Sequence, residues 1–339
     1  MSNKEPIEIS LLLNHYKKRL GKVNHKISEN TGGITKTIDF LSPALKKGNQ
    51  PRIYSHGKKT DDVIVITHGL SDSPHYVKAI GKKFYKAGCN VILTLLPGHG
   101  LKEIKGKMEQ EGLKRRWKKE IDTAVEAAKF YGKRISLGGF STGACLSVNK
   151  VLRDPNKING GLFLFSAALD LGYIAHGSNY LPFAHTIARY TDGKLKSIGS
   201  NPYRYPYLNN AAGIEVVRLI DETWKRLENG KVKVKLKQPV FIAHSVHDVR
   251  VSFTGIHTFM TTHVEKGFTF LISENIAHSQ LVLKKPIELD LSQKHGIRNT
   301  PLANPKFNWM MGNAVQFFND EVVGRKEEKK EIGDIGFSI

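Results

Sequence analysis

The feature that most constrains this chain is an alternation that begins near residue 60. Short runs rich in β-branched and aromatic residues take turns with segments of helical periodicity. Val63–Ile66 is apolar on every residue, as a strand buried on both faces requires. Pro74 to Ala87 follows with Tyr76, Val77, Ile80 and Phe84 at helical spacing. Asn90–Leu95 reads as the next strand, and residues 114–130 place Trp117, Ile121, Ala124, Val125 and Ala128 on one helical face. Arg134–Phe140, Gly161–Phe165, Val240–His244 and Phe268–Ile272 are further strands, with helices expected over 142–153 and over 210–228 and a last one capped by Asn304-Pro305. Strands separated by helices predict an α/β fold with a mostly parallel central sheet flanked by helices.

The boundaries expected from this pattern are an N-terminal basic segment with the first strands over 1–60 and a core over 61–165 and 238–322. A cap or lid insertion over 166–237 and a polar tail over 323–339 complete the chain. The insertion has its own texture: Pro, Gly, Asn and Tyr cluster, as in Asn201-Pro-Tyr-Arg-Tyr-Pro-Tyr207. Its Tyr173, Ile174, Tyr180, Leu181, Phe183 and Ile187 suit either packing onto the core or contact with an acyl chain.

Composition narrows the class. With 40% hydrophobic and 24% charged residues over 339 positions, the chain can bury a core without staples. Its two cysteines, Cys89 and Cys145, sit in apolar stretches and read as buried free thiols. No Cys/His spacing resembles a metal site; His244-Ser-Val-His247-Asp248 lacks further ligands. The apolar run Ile9–Leu13 is too short for a signal-peptide core, and nothing approaches the roughly 18 apolar residues of a membrane span. The sequence thus reads as soluble and cytoplasmic. The formal charge of +21 is distributed, with 12 Lys and Arg against 4 Asp and Glu in residues 1–60. Such a surface attracts polyanions generally, but no nucleic-acid motif accompanies it.

The central motif is Gly139-Phe140-Ser141-Thr142-Gly143, a G-x-S-x-G between an expected strand and an expected helix. A serine on so tight a turn needs small neighbours two residues away on each side, and its hydroxyl then stands clear of the sheet edge. That marks Ser141 as a candidate nucleophile. Earlier in the chain, the strand at 63–67 ends in His68-Gly69-Leu70-Ser71-Asp72. The backbone N–H groups of Leu70 and Thr142 are candidates for an oxyanion hole. His68 and His99 read as structural.

HGLSDS, LPGHG, the Trp117 helix and GFSTG, in that order, resemble the α/β-hydrolase superfamily, and within it the carboxylesterase, monoacylglycerol lipase and serine-aminopeptidase-like branch. The resemblance covers about residues 60–280. It implies a triad in the order serine, acid, histidine. Asp248, in the loop after the strand Val240–His244, matches the acid, and His278, after the strand Phe268–Ile272, matches the base. Asp170 is the rival acid; Glu274, His247, His257 and His263 are weaker rivals. The sequence departs from the branch at Ala144, where a second glycine is common, and in the Lys-, Pro- and Asn-rich stretch 279–303. The resemblance implies a serine hydrolase that forms an acyl-enzyme on Ser141 and needs no cofactor and no metal. Its expected substrate is a small-molecule or lipid ester: a medium-chain acyl ester, a monoacylglycerol or a lysophospholipid. Weak attraction to an anionic membrane surface would suit such a substrate. A thioesterase or peptidase using the same triad is one alternative, and a catalytically inactive binding or scaffold protein is another.

Overall fold

A computed structural model describes residues 7–29, 36–171, 201–205, 209–230, 232–288, 302–325 and 336–338. Among the described residues, ten strands form one sheet: β1 (Asn24–Glu29), β2 (Lys36–Leu41), β3 (Arg52–Ser55), β4 (Thr60–Thr67), β5 (Asn90–Leu93), β6 (Gly132–Phe140), β7 (Leu162–Phe165), β8 (Val240–Ser245), β9 (Gly267–Ile272) and β10 (Gly336–Ser338). Their spatial order is β1-β2-β3-β5-β4-β6-β7-β8-β9-β10. The run from β5 to β9 is parallel, and the outer strands pair antiparallel on either side.

The period-2 rule accounts for the two cores. Val63 and Val65 face one hydrophobic cluster, together with Leu162, Leu164, Val240 and Ile242. Their neighbours Ile64, Ile66, Phe163, Phe165, Phe241 and Ala243 face the other. Helices α1 (Ile7–Leu20), α3 (Leu113–Tyr131), α4 (Thr142–Arg153), α5 (Asn210–Glu228) and α6 (Phe253–His263) cover the first face. Helices α2 (Pro74–Lys86) and α7 (Phe307–Phe317) cover the second. Each fully buried aliphatic or aromatic side chain in these layers contributes about 1.5–3 kcal/mol, so the strand register is fixed by both faces at once.

Three features differ from the sequence expectation. Residues 7–20 form a helix docked on α3: the buried Glu120 accepts hydrogen bonds from the Tyr16 hydroxyl (2.9 Å) and from the His15 ring (2.7 Å), and pairs with Arg19. Helix α5, expected within an insertion above the sheet, packs beside α3 and α4 through Ala212, Val216, Leu219 and Ile220. Lys306, not Asn304, caps α7; the Asn304 side chain accepts the Lys306 N–H at 2.8 Å instead. Residues 172–200 and 206–208, which carry Tyr173 to Ile187 and nearly half of the expected cap, lie outside the described residues. Among the described residues, no helix is long and apolar enough to cross a membrane.

Candidate active site

Strand β6 delivers its chain into α4 through a single residue, Ser141, with φ 54° and ψ −117°. A non-glycine residue at positive φ costs on the order of 1–3 kcal/mol and persists only where its surroundings hold it. Here the Ser141 N–H donates to the Phe165 carbonyl at 2.9 Å, and the Ser141 carbonyl accepts from Ala144 (3.0 Å) and Ala168 (3.2 Å). The glycines on either side are dictated by space. A Cβ at Gly139 would stand 2.5 Å from the Ala144 nitrogen; one at Gly143 would stand 2.6 Å from the Thr67 carbonyl carbon. Thus α4 begins closely packed against the end of β4, and Ala144 needs no glycine to fit there, being buried in the first core cluster.

The loop after β4 is held by two histidines acting as neutral clamps. His68 accepts the Leu96 N–H at Nε2 (3.1 Å), and His99 accepts the Ser71 N–H at Nε2 (3.1 Å). A ring nitrogen that accepts must be unprotonated, so the proton sits on Nδ1. From there His68 donates to the Gly69 carbonyl and His99 to the Pro97 carbonyl. Burial pushes His68 well down and His99 down to about 4, which keeps both neutral. Trp117 donates its indole N–H to the same Pro97 carbonyl at 3.0 Å. With Ser71 committed to His99 and Asp72 N–H to the Gly69 carbonyl (3.3 Å), the adjacent donor is Leu70. Thr142 is the first residue of α4, where an N–H has no intrahelical acceptor. Among the described residues, neither the Leu70 nor the Thr142 N–H has an acceptor.

Asp248 follows β8. Its side chain is fully buried, its Oδ1 accepts the N–H groups of Arg250 (2.9 Å) and Val251 (3.2 Å), and its Oδ2 accepts from His278 Nδ1 at 2.6 Å. Burial pushes the Asp248 carboxyl up, but the His278 hydrogen bond and charge, with the Arg250 N–H, outweigh it and hold the group below its usual range. The His278 ring lies 4.8 Å from the ring of Phe140, the residue immediately before Ser141. The structure therefore brings His278 and Asp248 together beside the Ser141 turn.

The rivals make other contacts. Asp170 packs its Cβ toward Gly255, and its carbonyl accepts the Ser252 N–H. Glu274 pairs with Lys306 at 3.0 Å. His247 bonds the Ser273 carbonyl, His263 bonds the Val234 carbonyl and Glu228, and His257 packs against Phe253.

Two neighbours escaped the sequence reading. His244 is buried with its Nδ1 3.9 Å from Asp248 Oδ2, too far to bond, and burial lowers it to about 4, so it stands beside the acid as a neutral ring. Arg204, from the inserted segment, donates through Nε to Asp72 Oδ1 at 2.6 Å, and its guanidinium lies 4.9 Å from the Tyr76 ring centre. The adjacent Tyr205 N–H donates to the Ser71 carbonyl at 2.8 Å. Residues 201–205 thereby brace the loop that carries Leu70. Only the HGLSDS string hinted at this: a buried aspartate needs a cation, but the sequence does not say which.

Comparisons with known proteins agree with this architecture. A thermostable monoacylglycerol lipase of Bacillus sp. (strain H-257) is 24% identical over 172 residues, which cover 49% of this chain and 64% of the lipase. The chain thus spans less than two thirds of that relative. One of the metagenome-derived lipolytic enzymes LipS and LipT superposes with a TM-score of 0.62 at 16% identity, covering 82% of this chain and all of that one. A soluble variant of the monoglyceride lipase of Saccharomyces cerevisiae, in complex with a substrate analogue, superposes with a TM-score of 0.58 at 15% identity, covering 89% and 97%. These solved structures share the fold. The family model described as serine aminopeptidase, S33 matches residues 58–282, from the start of the parallel sheet to just past His278. The chain belongs to this serine aminopeptidase S33 family, with the α/β-hydrolase fold.

Proposed function

We propose that this protein is a serine hydrolase that cleaves carboxylic esters through an acyl-enzyme on Ser141. The observation that carries this reading is the 2.6 Å Asp248–His278 hydrogen bond beside the strained Ser141 turn. In the proposed mechanism, the Ser141 hydroxyl attacks the ester carbonyl while His278 Nε2 takes its proton. Asp248 keeps the other ring proton on Nδ1 and stabilises the imidazolium. The developing oxyanion is received by the N–H groups of Leu70 and Thr142, each worth about 100- to 1000-fold in rate. Collapse expels the alcohol, which carries away the proton from His278; water then repeats the sequence and releases the acid.

Medium-chain acyl esters, monoacylglycerols and lysophospholipids are the substrate class that agrees with the Bacillus relative, itself a monoacylglycerol lipase. The S33 description, serine aminopeptidase, makes amides the second class to test. The first experiment is fluorophosphonate labelling of wild type and Ser141→Ala, followed by p-nitrophenyl esters of increasing chain length against aminoacyl p-nitroanilides. Labelling that disappears in the variant, with ester turnover exceeding anilide turnover, supports the reading. Folded wild-type protein that takes no label would reassign the fold to a binding role. Anilide turnover above ester turnover would make the protein a peptidase.

A further inference from the structure

A cavity of about 580 Å³ lies between α2 and the segment Val282–Glu288, with Tyr203 contributing to its wall. The volume falls in the range of small-molecule sites. Its lining includes Lys78, Lys82, Lys83 and Lys86 from α2, with Lys284 and Lys285 from the opposite side. Residues 78, 82 and 86 follow at four-residue steps, so they share one helical face. Among the described residues, Glu288 is the single carboxylate of the lining. Among the described residues, none of the six ammonium groups is ion-paired; Lys78 instead donates to His75 Nδ1 at 3.2 Å.

We propose that this cavity binds a soluble, multiply phosphorylated small molecule, at a site separate from Ser141, Asp248 and His278. None of those three residues lines it, and the inference stands independently of the proposed ester chemistry. Six unneutralised cations around one concavity focus a strong positive potential, which a compact polyanion relieves on binding. In the free protein both burial and neighbouring charge act against these cations. Burial, with the charges of Arg52 and Lys82, lowers Lys78 to about 8; burial, with Lys284 and Lys86, lowers Lys83.

The chemistry of the cations selects phosphate. All six are lysines, compact point charges whose three donors suit the tetrahedral oxygens of phosphate groups, whereas planar carboxylates favour the arginine fork. A concavity of this volume, with its cations gathered on two facing walls, matches a compact small molecule better than an extended acidic peptide, which needs a longer groove. The remaining wall is apolar or aromatic: Val282, Leu283 and Ile287, with His75 stacked on Tyr203 at 3.4 Å between ring centres. Burial and the Lys78 charge lower His75 to about 3, so this ring adds no competing proton near neutrality.

The test is calorimetric titration of the full chain with inorganic tripolyphosphate at physiological salt. It compares wild type with a Lys78→Gln/Lys82→Gln/Lys83→Gln variant and with Lys284→Gln/Lys285→Gln on the opposite wall. An exposed control, Lys17→Gln/Lys18→Gln/Lys225→Gln, removes as much charge elsewhere. Single-site saturation is expected, weakened about tenfold or more by either cavity variant and less than about twofold by the control. Thermal melts of both cavity variants establish that the loss is not unfolding, because the two walls are altered independently. Equal weakening by all three variants would overturn the proposal in favour of diffuse attraction to the +21 surface. So would lysine-dependent sedimentation with phosphatidylinositol bisphosphate vesicles in the absence of tripolyphosphate binding, which would identify a lipid headgroup as the phosphate source.

Discussion

Replacing Gly143 by alanine tests the packing logic of the candidate site with a single methyl group. The added Cβ would stand 2.6 Å from the Thr67 carbonyl carbon and 2.7 Å from the His68 carbonyl oxygen, where ordinary contact begins near 3.4 Å. The Thr67 carbonyl oxygen is closer still, so the neighbours must retreat by more than about 0.8 Å, and all of them are backbone at the end of a central strand. No side chain can rotate away, so the cost belongs near the top of the overpacking range, about 3 kcal/mol. For a chain of this length that is a fall in Tm of about 4 °C. The same displacement moves the Ser141 turn relative to Leu70, and a misplacement approaching 1 Å costs about 100-fold in turnover. Gly213, inside α5 with nothing within 4 Å of its Cβ position, provides the opposite case. Gly213→Ala gains helix propensity and is expected to stabilise by about 0.5–1 kcal/mol with activity unchanged. Urea denaturation and ester turnover of both variants, side by side, read the two signs. A Gly143→Ala protein with wild-type stability and turnover would refute the reasoning.

Further outcomes follow from the site and its supports. Asp248→Asn leaves an amide that cannot hold His278 in the working tautomer, so kcat is expected to fall about 10³- to 10⁴-fold in steady-state assays with the fold intact; a loss below tenfold would point to Asp170 instead. Arg204→Met strands the buried Asp72 carboxylate and is expected to cost about 3–5 kcal/mol in urea denaturation, with much of it recovered in Asp72→Asn/Arg204→Met. Melting temperature is expected to drop as pH falls from about 6.5 to 4. In that window the unfolded chain protonates His99 and His244 while the native state, with both near 4, does not. The Asp248 contribution, present above the ordinary carboxylate pKa, is lost only at still lower pH. A melting temperature flat down to pH 5 would contradict the buried-neutral assignment.

The sequence by itself determined the parallel core, because a strand buried on both faces must be apolar at every position and Val63–Ile66, Leu162–Phe165 and Val240–Ala243 are. It also singled out Ser141, since the glycines at 139 and 143 answer a local steric demand that spacing alone reveals. Asp248 and His278 became candidates only through the resemblance, which places the acid and the histidine after two successive strands; 30 residues separate them, and their 2.6 Å bond exists because β8 and β9 are adjacent and parallel. The helix over residues 7–20 was hidden because its anchor, Glu120, lies some 100 residues away. Arg204 was hidden for the same reason: its partner Asp72 is 132 residues distant, and a polar loop offers no periodicity to read. The lysines of α2 and of residues 284–285 looked like parts of a uniformly basic surface. Only the tertiary structure set them around one concavity, because contacts between distant segments arise from packing and leave no local pattern in the chain.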